Sequence, residues 1–249
     1  MQFIKSMSLF MMVNVAVMVT VGFIVKALHL EPMLAGKGIN YIFLLGFCLL
    51  WGMSGAFISL MLSKVMVKWT MNLQVINPNS ASQGERNLLN TVYALSQKAG
   101  LRVMPEVAYY ESNDINAFAT GPSRSNSLVA VSTGLLNKMN QKELEGVLGH
   151  EIAHIANGDM VTMTLLQGVV NAFAMFLARI IAQLITRSGK EDNRSNSFMM
   201  EFMIRMVLEI VFTIIGSLVV RWFSRYREYR ADAGGARYAG KQNMVNALM

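Results

Sequence analysis

Four apolar runs divide the chain, and a long stretch of mixed polarity separates the second from the third. The first, between Lys5 and Lys26, reads "SMSLFMMVNVAVMVTVGFIV"; the second, between Lys37 and Lys64, includes "YIFLLGFCLLWGMSGAFISLML". Each has the roughly 20 uncharged residues that a helix needs to cross a bilayer. The third, "MVTMTLLQGVVNAFAMFLARIIAQLIT", carries Gln167, Asn171 and Arg179; the fourth, "FMMEFMIRMVLEIVFTIIGSLVV", carries Glu201, Arg205 and Glu209. Charges at membrane depth are costly and face protein or water. These two runs therefore read as spans lining a polar cavity, or as amphipathic helices packed on a soluble domain or lying at the interface. Their lengths favour spanning. A polar linker, "RSGKEDNRSNS", separates them.

Between Lys64 and Asp159 the periodicity changes. "RNLLNTVYALSQKAG" spaces Leu88, Leu89, Val92 and Leu95 for a helix ending at Gly100. "EVAYY" and "NSLVAVS" predict short strands, with "ESNDINAFATGPSRS" as an extended stretch and turn between them. In "NQKELEGVLGHEIAHIANG", Asn140 and Glu143 form a capping-box pattern, so a helix starts there. Leu144, Leu148, Ile152 and Ile155 line its buried side, and Asn157-Gly158 weakens or ends it. The expected organisation is an N-terminal transmembrane hairpin (1–63), a polar domain (64–159), a second hairpin (160–220) and a tail (221–249).

Composition agrees with a membrane protein. Of 249 residues 53% are hydrophobic and only 15% charged, against about 25% charged in soluble domains. The net charge of +7 does not call for nucleic acid, because the basic residues cluster beside apolar runs. Lys5, Lys64 and Lys68 outnumber Lys26 and Lys37, and Arg221, Arg225, Arg227, Arg230, Arg237 and Lys241 follow the fourth run. With four spans, the polar domain and the tail are both expected on the cytoplasmic side. The single cysteine, Cys48, excludes an intrachain disulfide and fits a bacterial cytoplasmic membrane. The first run lacks a cleavage site of small residues and is expected to remain as a span.

Against this background stands "GHEIAHIANGD" at 149–159. His150 and His154, two of three histidines, share one helix face a turn apart, so both imidazoles can grip one ion. Glu151 can then reach a water bound to it. A catalytic zinc site needs a third protein ligand. His29 is expected across the membrane and Cys48 within it, which leaves a carboxylate. Glu143 is roughly 10 Å from His150 along the axis, and Glu145 points elsewhere. Glu201 and Glu209 are at membrane depth. Glu228 is the first choice from geometry, because the second hairpin returns the chain to the histidines' side; Asp159 stays open. Asp232, one turn after Glu228, is placed to accept from a ligating imidazole.

Together "HEIAH", "NGDMVTMT", "NAFATG" and "SRYREYRADAGGA", in that order, resemble the HtpX family of bacterial membrane zinc metalloproteases of heat-shock quality control, whose wider relatives include the CAAX prenyl proteases. The resemblance covers essentially the whole chain. It implies a zincin-like α+β domain of the gluzincin type with about four transmembrane helices, and one zinc ion per chain held by His150, His154 and Glu228. It further implies Glu151 as catalytic glutamate, Asp232 as partner of a ligand, and Asn116 and Ala117 as positions on a strand that binds substrate backbone. The implied function is endoproteolysis of misfolded or damaged membrane proteins at the inner membrane, alone or with other quality-control proteases. The implied partners are membrane-protein or peptide substrates and the lipid bilayer. Family members usually continue beyond Met249, so "KQNMVNALM" reads as a helix interrupted midway.

The residue types suit that chemistry: a zinc-bound water with its pKa lowered to about 7, a glutamate as base, and Arg225, Arg227 or Tyr229 as donor to the oxyanion. Three other readings compete. A transporter lined by Arg179, Glu201, Arg205 and Glu209 leaves the histidines unexplained. A zinc scaffold without catalysis would not need Glu151. A prenyl-protein protease is expected to have more spans.

Overall fold

The structure, a computed structural model, describes residue 23 and residues 40–79, 81–186 and 194–248. All of the first apolar run except Phe23, together with His29, the basic residues Lys5, Lys26 and Lys37, and the linker through residue 193, lie outside the described residues. The described chain is mostly helical with one small sheet, and it separates into two compact units.

One unit comprises residues up to 58 together with 164–222. It contains most of α1 (Tyr41–Thr70), α5 (Asp159–Thr186) and the first part of α6 (Arg194–Ala239). Among the described residues, these three helices are long and apolar enough to cross a membrane. Leu45, Cys48, Leu49 and Met53 of α1 pack on Ala172 and Phe176 of α5. Gly52 permits this contact, since a Cβ there would come within 2.8 Å of the Ala172 nitrogen. Gly216 of α6 meets Val170 with equally little room. The polar residues inside these helices find company. Gln167 Nε2 donates to Asn171 Oδ1 at 2.8 Å, and Arg179 stacks over Phe47 at 4.8 Å. Asn171, Thr213 and Glu209 line a cavity of about 280 Å³ with Trp51.

The other unit comprises 59–163 and 223–249. Its sheet has the order β1-β2-β4-β3, from Gln74–Val75, Glu106–Tyr110, Ala117–Ser123 and Asn126–Ser132. The β2–β4 pair is parallel; β1 and β3 run antiparallel on either side, which leaves β3 at an edge. The stretch that its residues mark as extended, and the resemblance as a strand, contains the edge strand β3, although Pro122 and a glycine at φ +138° interrupt its register between Thr120 and Ser123. Against the sheet pack α2 (Gln83–Lys98), the short α3 (Thr133–Lys138) and α4 (Gln141–Asn157). Leu88, Leu89, Val92 and Leu95 of α2 are buried with Leu144, Leu148, Ile152 and Ile155 of α4. Each such side chain contributes about 1.5–3 kcal/mol by leaving water.

Both α2 and α4 start in capping boxes, Ser82 with Glu85 and Asn140 with Glu143. Lys64 and Lys68, on the last turns of α1, bind Glu106 of β2 at 2.8 and 2.6 Å. Lys64 also donates to Asn126 Oδ1, so the end of α1 is pinned to the strands beside it. Two helices extend beyond the apolar runs that begin them: α1 continues past Lys64 to Thr70, and α6 continues past residue 220 to Ala239 without a break. Nothing in "RWFSRYREYRADAGGARYA" breaks a helix, for it holds no proline and its glycines come near the end.

Candidate metal centre

The centre is built on α4. Asn140 accepts from the N–H groups of Lys142 and Glu143, which fixes where the helix begins. The leucines and isoleucines then turn one side into the core, and His150 and His154 come out on another. Their rings lie edge to face with centroids 4.7 Å apart, and their Nε2 atoms are 3.0 Å apart.

The third member arrives from the far end of α6. Gly234 and Gly235 permit this, because side chains there would strike α4: a Cβ on Gly234 would come within 2.6 Å of the Ala153 Cβ, and one on Gly235 within 3.0 Å of the His150 nitrogen. Gly149 matches them from the other side, 2.9 Å from the Ala239 Cβ. With the backbones this close, Glu228 Oε2 reaches His150 Nε2 at 3.2 Å and His154 Nε2 at 3.4 Å. His150, His154 and Glu228 each offer an atom to a cluster lying within 4.8 Å. Glu228 Oε1 is held by Arg227 at 2.8 Å, leaving Oε2 for the imidazoles.

Both imidazoles are oriented from behind. His150 Nδ1 lies 2.8 Å from Asp232 Oδ1, and His154 Nδ1 lies 2.7 Å from Asp159 Oδ2. A carboxylate accepts only, so each Nδ1 carries a proton, and in the neutral imidazole each Nε2 then presents a lone pair. Burial pulls the pKa of His154 down, but the bond to Asp159 and the charges of Glu151 and Glu228 outweigh it, leaving it above the ordinary value. Two lone pairs and a carboxylate oxygen facing one point suit a dication. Their separation also fits: two nitrogens on one tetrahedral zinc, each bonded at 2.0–2.1 Å, are about 3.3 Å apart. The donor set therefore fits zinc.

Glu151 is half-buried. Its pKa is raised, chiefly by burial; the nearby imidazoles and the backbone N–H of Ala119, which its carboxylate accepts, offset this only in part. That N–H belongs to the edge strand. Asn116 spends its backbone on β4, with its N–H donating to Ser132 Oγ and its carbonyl accepting from Ser132 N–H. Antiparallel alternation then turns the N–H and C=O of Ala117 and Ala119 to the outer side. Of the residues considered for the oxyanion, Arg227 is engaged with Glu228 and Tyr229 is 66% exposed. Glu143 belongs to the cap of α4, and Glu145 accepts from Asn243 of α7 (Lys241–Leu248). The part of Asp159 behind His154 was hidden in the sequence, where it figured only as an alternative ligand.

Comparison with known proteins follows the same lines. Residues 82–249 match the sequence profile of Peptidase family M48. Over 245 residues the chain is 49% identical to a Protease HtpX homolog of Methylacidiphilum infernorum, covering 98% of this chain and 81% of that protein. The chain belongs to peptidase family M48, among the HtpX proteases. Protease HtpX of Acinetobacter baumannii is 50% identical over 244 residues, covering 97% of this chain and 80% of its own length. The HtpX homolog of Bacillus subtilis is 47% identical over 251 residues, covering 98% and 83%. HtpX-family membership makes the chain a protease of a membrane type, consistent with its three long apolar helices. In fold it is similar to the crystal structure of S. mikatae Ste24p, with a TM-score of 0.58 at 18% identity; the match covers 98% of this chain, which spans 59% of that one.

Proposed function

We propose that the chain is a zinc-dependent endopeptidase of the bacterial cytoplasmic membrane that hydrolyses misfolded or damaged membrane proteins under stress. The observation that carries this reading is the convergence of His150, His154 and Glu228 next to Glu151. Those three would hold a zinc ion, which would lower the pKa of a coordinated water to about 7. Glu151 takes the proton from the attacking water on its carboxylate and passes it to the leaving amine. A raised pKa suits both halves of that exchange near neutral pH. Asp232 keeps the proton of His150 on Nδ1. Substrate lies extended along the edge of β3, where the backbone of Ala117 is free to pair with it and the exposed side chain of Asn116 flanks it.

The polar unit is the zincin-like catalytic domain in this reading, and it lies on the cytoplasmic side. The first apolar run adds a fourth span to the three long helices. Nucleic acid has no part in it, and other quality-control proteases share the substrate load.

Purified protein supplied with zinc should cleave an unfolded protein substrate and stop when a chelator is added. Cleavage that survives complete removal of metal would overturn the proposal. Metal binding should also depend on pH in a stated direction. The proton on His154 must leave before its Nε2 can ligate, and its pKa is raised in the metal-free protein. Zinc affinity should therefore begin to fall while the pH is still above about 6.5, the ordinary histidine value. Chelator competition between pH 5 and pH 8 measures this, and a flat profile down to pH 6 contradicts it.

A further inference from the structure

We infer that Asp159 is the positioning residue of His154 and that it matters more to metal binding than Asp232 does. This rests on the metal reading of His150, His154 and Glu228. Both carboxylates bond an Nδ1 at nearly the same distance, 2.7 Å for Asp159 and 2.8 Å for Asp232. Their surroundings differ. The Asp159 side chain is 4% exposed and that of Asp232 39%. A charge-assisted bond away from water is less screened and less easily replaced by solvent. If Asp232 is lost, water can take over the Nδ1–H of His150; behind His154 there is little room for that.

The local chain is built to put Asp159 there. It lies five positions after His154, beyond the three or four that make neighbours on one continuous helix face. Gly158, at φ 75°, ends α4 in the left-handed conformation, and its N–H closes on the carbonyls of His154 and Ile155. The chain turns back at once into α5, whose first residue is Asp159. Its charge faces His154 and also benefits from the positive end of the α5 dipole. Two arginines from other elements hold the turn at Asn157. Arg124, in the β3–β4 turn, donates to its carbonyl at 3.0 Å, and Arg230 of α6 lies 3.4 Å from its Oδ1. Asp159 thus fixes both the ring orientation and the tautomer that leaves Nε2 free for metal.

The test uses the full chain in detergent, with zinc affinity measured against a chromogenic chelator and nitrogen-15 histidine spectra recorded without metal. With three histidines in the chain, the Nδ1–H signals can be assigned by substitution. Asp159→Ala should weaken zinc binding on the order of 10- to 100-fold, and more than Asp232→Ala. It should erase the hydrogen-bonded Nδ1–H signal of His154 while leaving that of His150. Asp159→Asn keeps the shape of the side chain and loses its charge, so it should fall between Asp159→Ala and wild type even if the alanine variant folds poorly. Zinc affinity unchanged in both Asp159 variants, with His154→Ala unable to bind, would overturn the inference and leave the metal centre standing. An Asp232→Ala loss larger than that of Asp159→Ala would overturn the ranking. If His154→Ala itself bound zinc like wild type, the metal reading would fail first.

Discussion

Glu151→Gln is expected to cut proteolysis by about 10²–10⁴-fold, the usual worth of a positioned general base, while zinc stays bound. The side chain keeps its size and its contact with the Ala119 N–H through the amide oxygen, so the edge strand stays in place. What it loses is the capacity to hold a proton. It is not among the three residues whose atoms converge on one point, so chelator competition should return nearly the wild-type zinc affinity. A variant that lost zinc along with activity would make Glu151 a ligand and leave the proton without a carrier.

Glu228→Gln should have the opposite signature. The amide keeps the length of the side chain but removes the charge that balances a dication between two neutral imidazoles. It also breaks the ion pair with Arg227, which holds the carboxylate so that Oε2 faces the histidines. Zinc affinity should fall by well over the 10- to 100-fold expected of a residue that only orients a ligand. Glu209→Gln and Glu201→Gln are the controls. Glu209 lines the cavity between the apolar helices and has no place in the ligand set, so its variant should bind zinc like wild type. Should Glu209→Gln be the variant that loses zinc, the ligand set would have to be redrawn inside the apolar unit.

Some of this could be read from the sequence and some could not, for reasons of range. The start of α4 is written locally in Asn140 and Glu143, and its buried side in the spacing of Leu144, Leu148, Ile152 and Ile155. The strands "EVAYY" and "NSLVAVS" show their hydrophobic character within a few residues. The β3 strand does not, because Gly121 and Pro122 mask it and its pairing with β4 is what makes it a strand. Glu228 could be placed near the histidines by topology. The close packing that brings it there depends on Gly149, Gly234 and Gly235 meeting across two helices, a pairing no local pattern announces. The contact of Asp159 with His154 is hidden for a related reason. Its place behind His154 follows from the left-handed turn at Gly158, and a glycine after a helix signals an end without saying where the next residue points. Polarity changes at residue 220, where the apolar run ends, but helical hydrogen bonding does not, and α6 continues to Ala239.

The position of Glu228 late in α6 also has a temporal side. The chain is made from its N-terminus, and Glu228 is 74 residues after His154. At about 5–20 residues per second of synthesis, a growing chain carries both imidazoles for roughly 4–15 s before its acidic ligand exists. The residues made in that interval include α5 and the apolar part of α6, two of the helices long and apolar enough to cross a membrane. If His150, His154 and Glu228 hold the metal as proposed, the ligand set is completed only once the distal part of α6 has been made, and a chain still short of it would lack the charge that holds a dication.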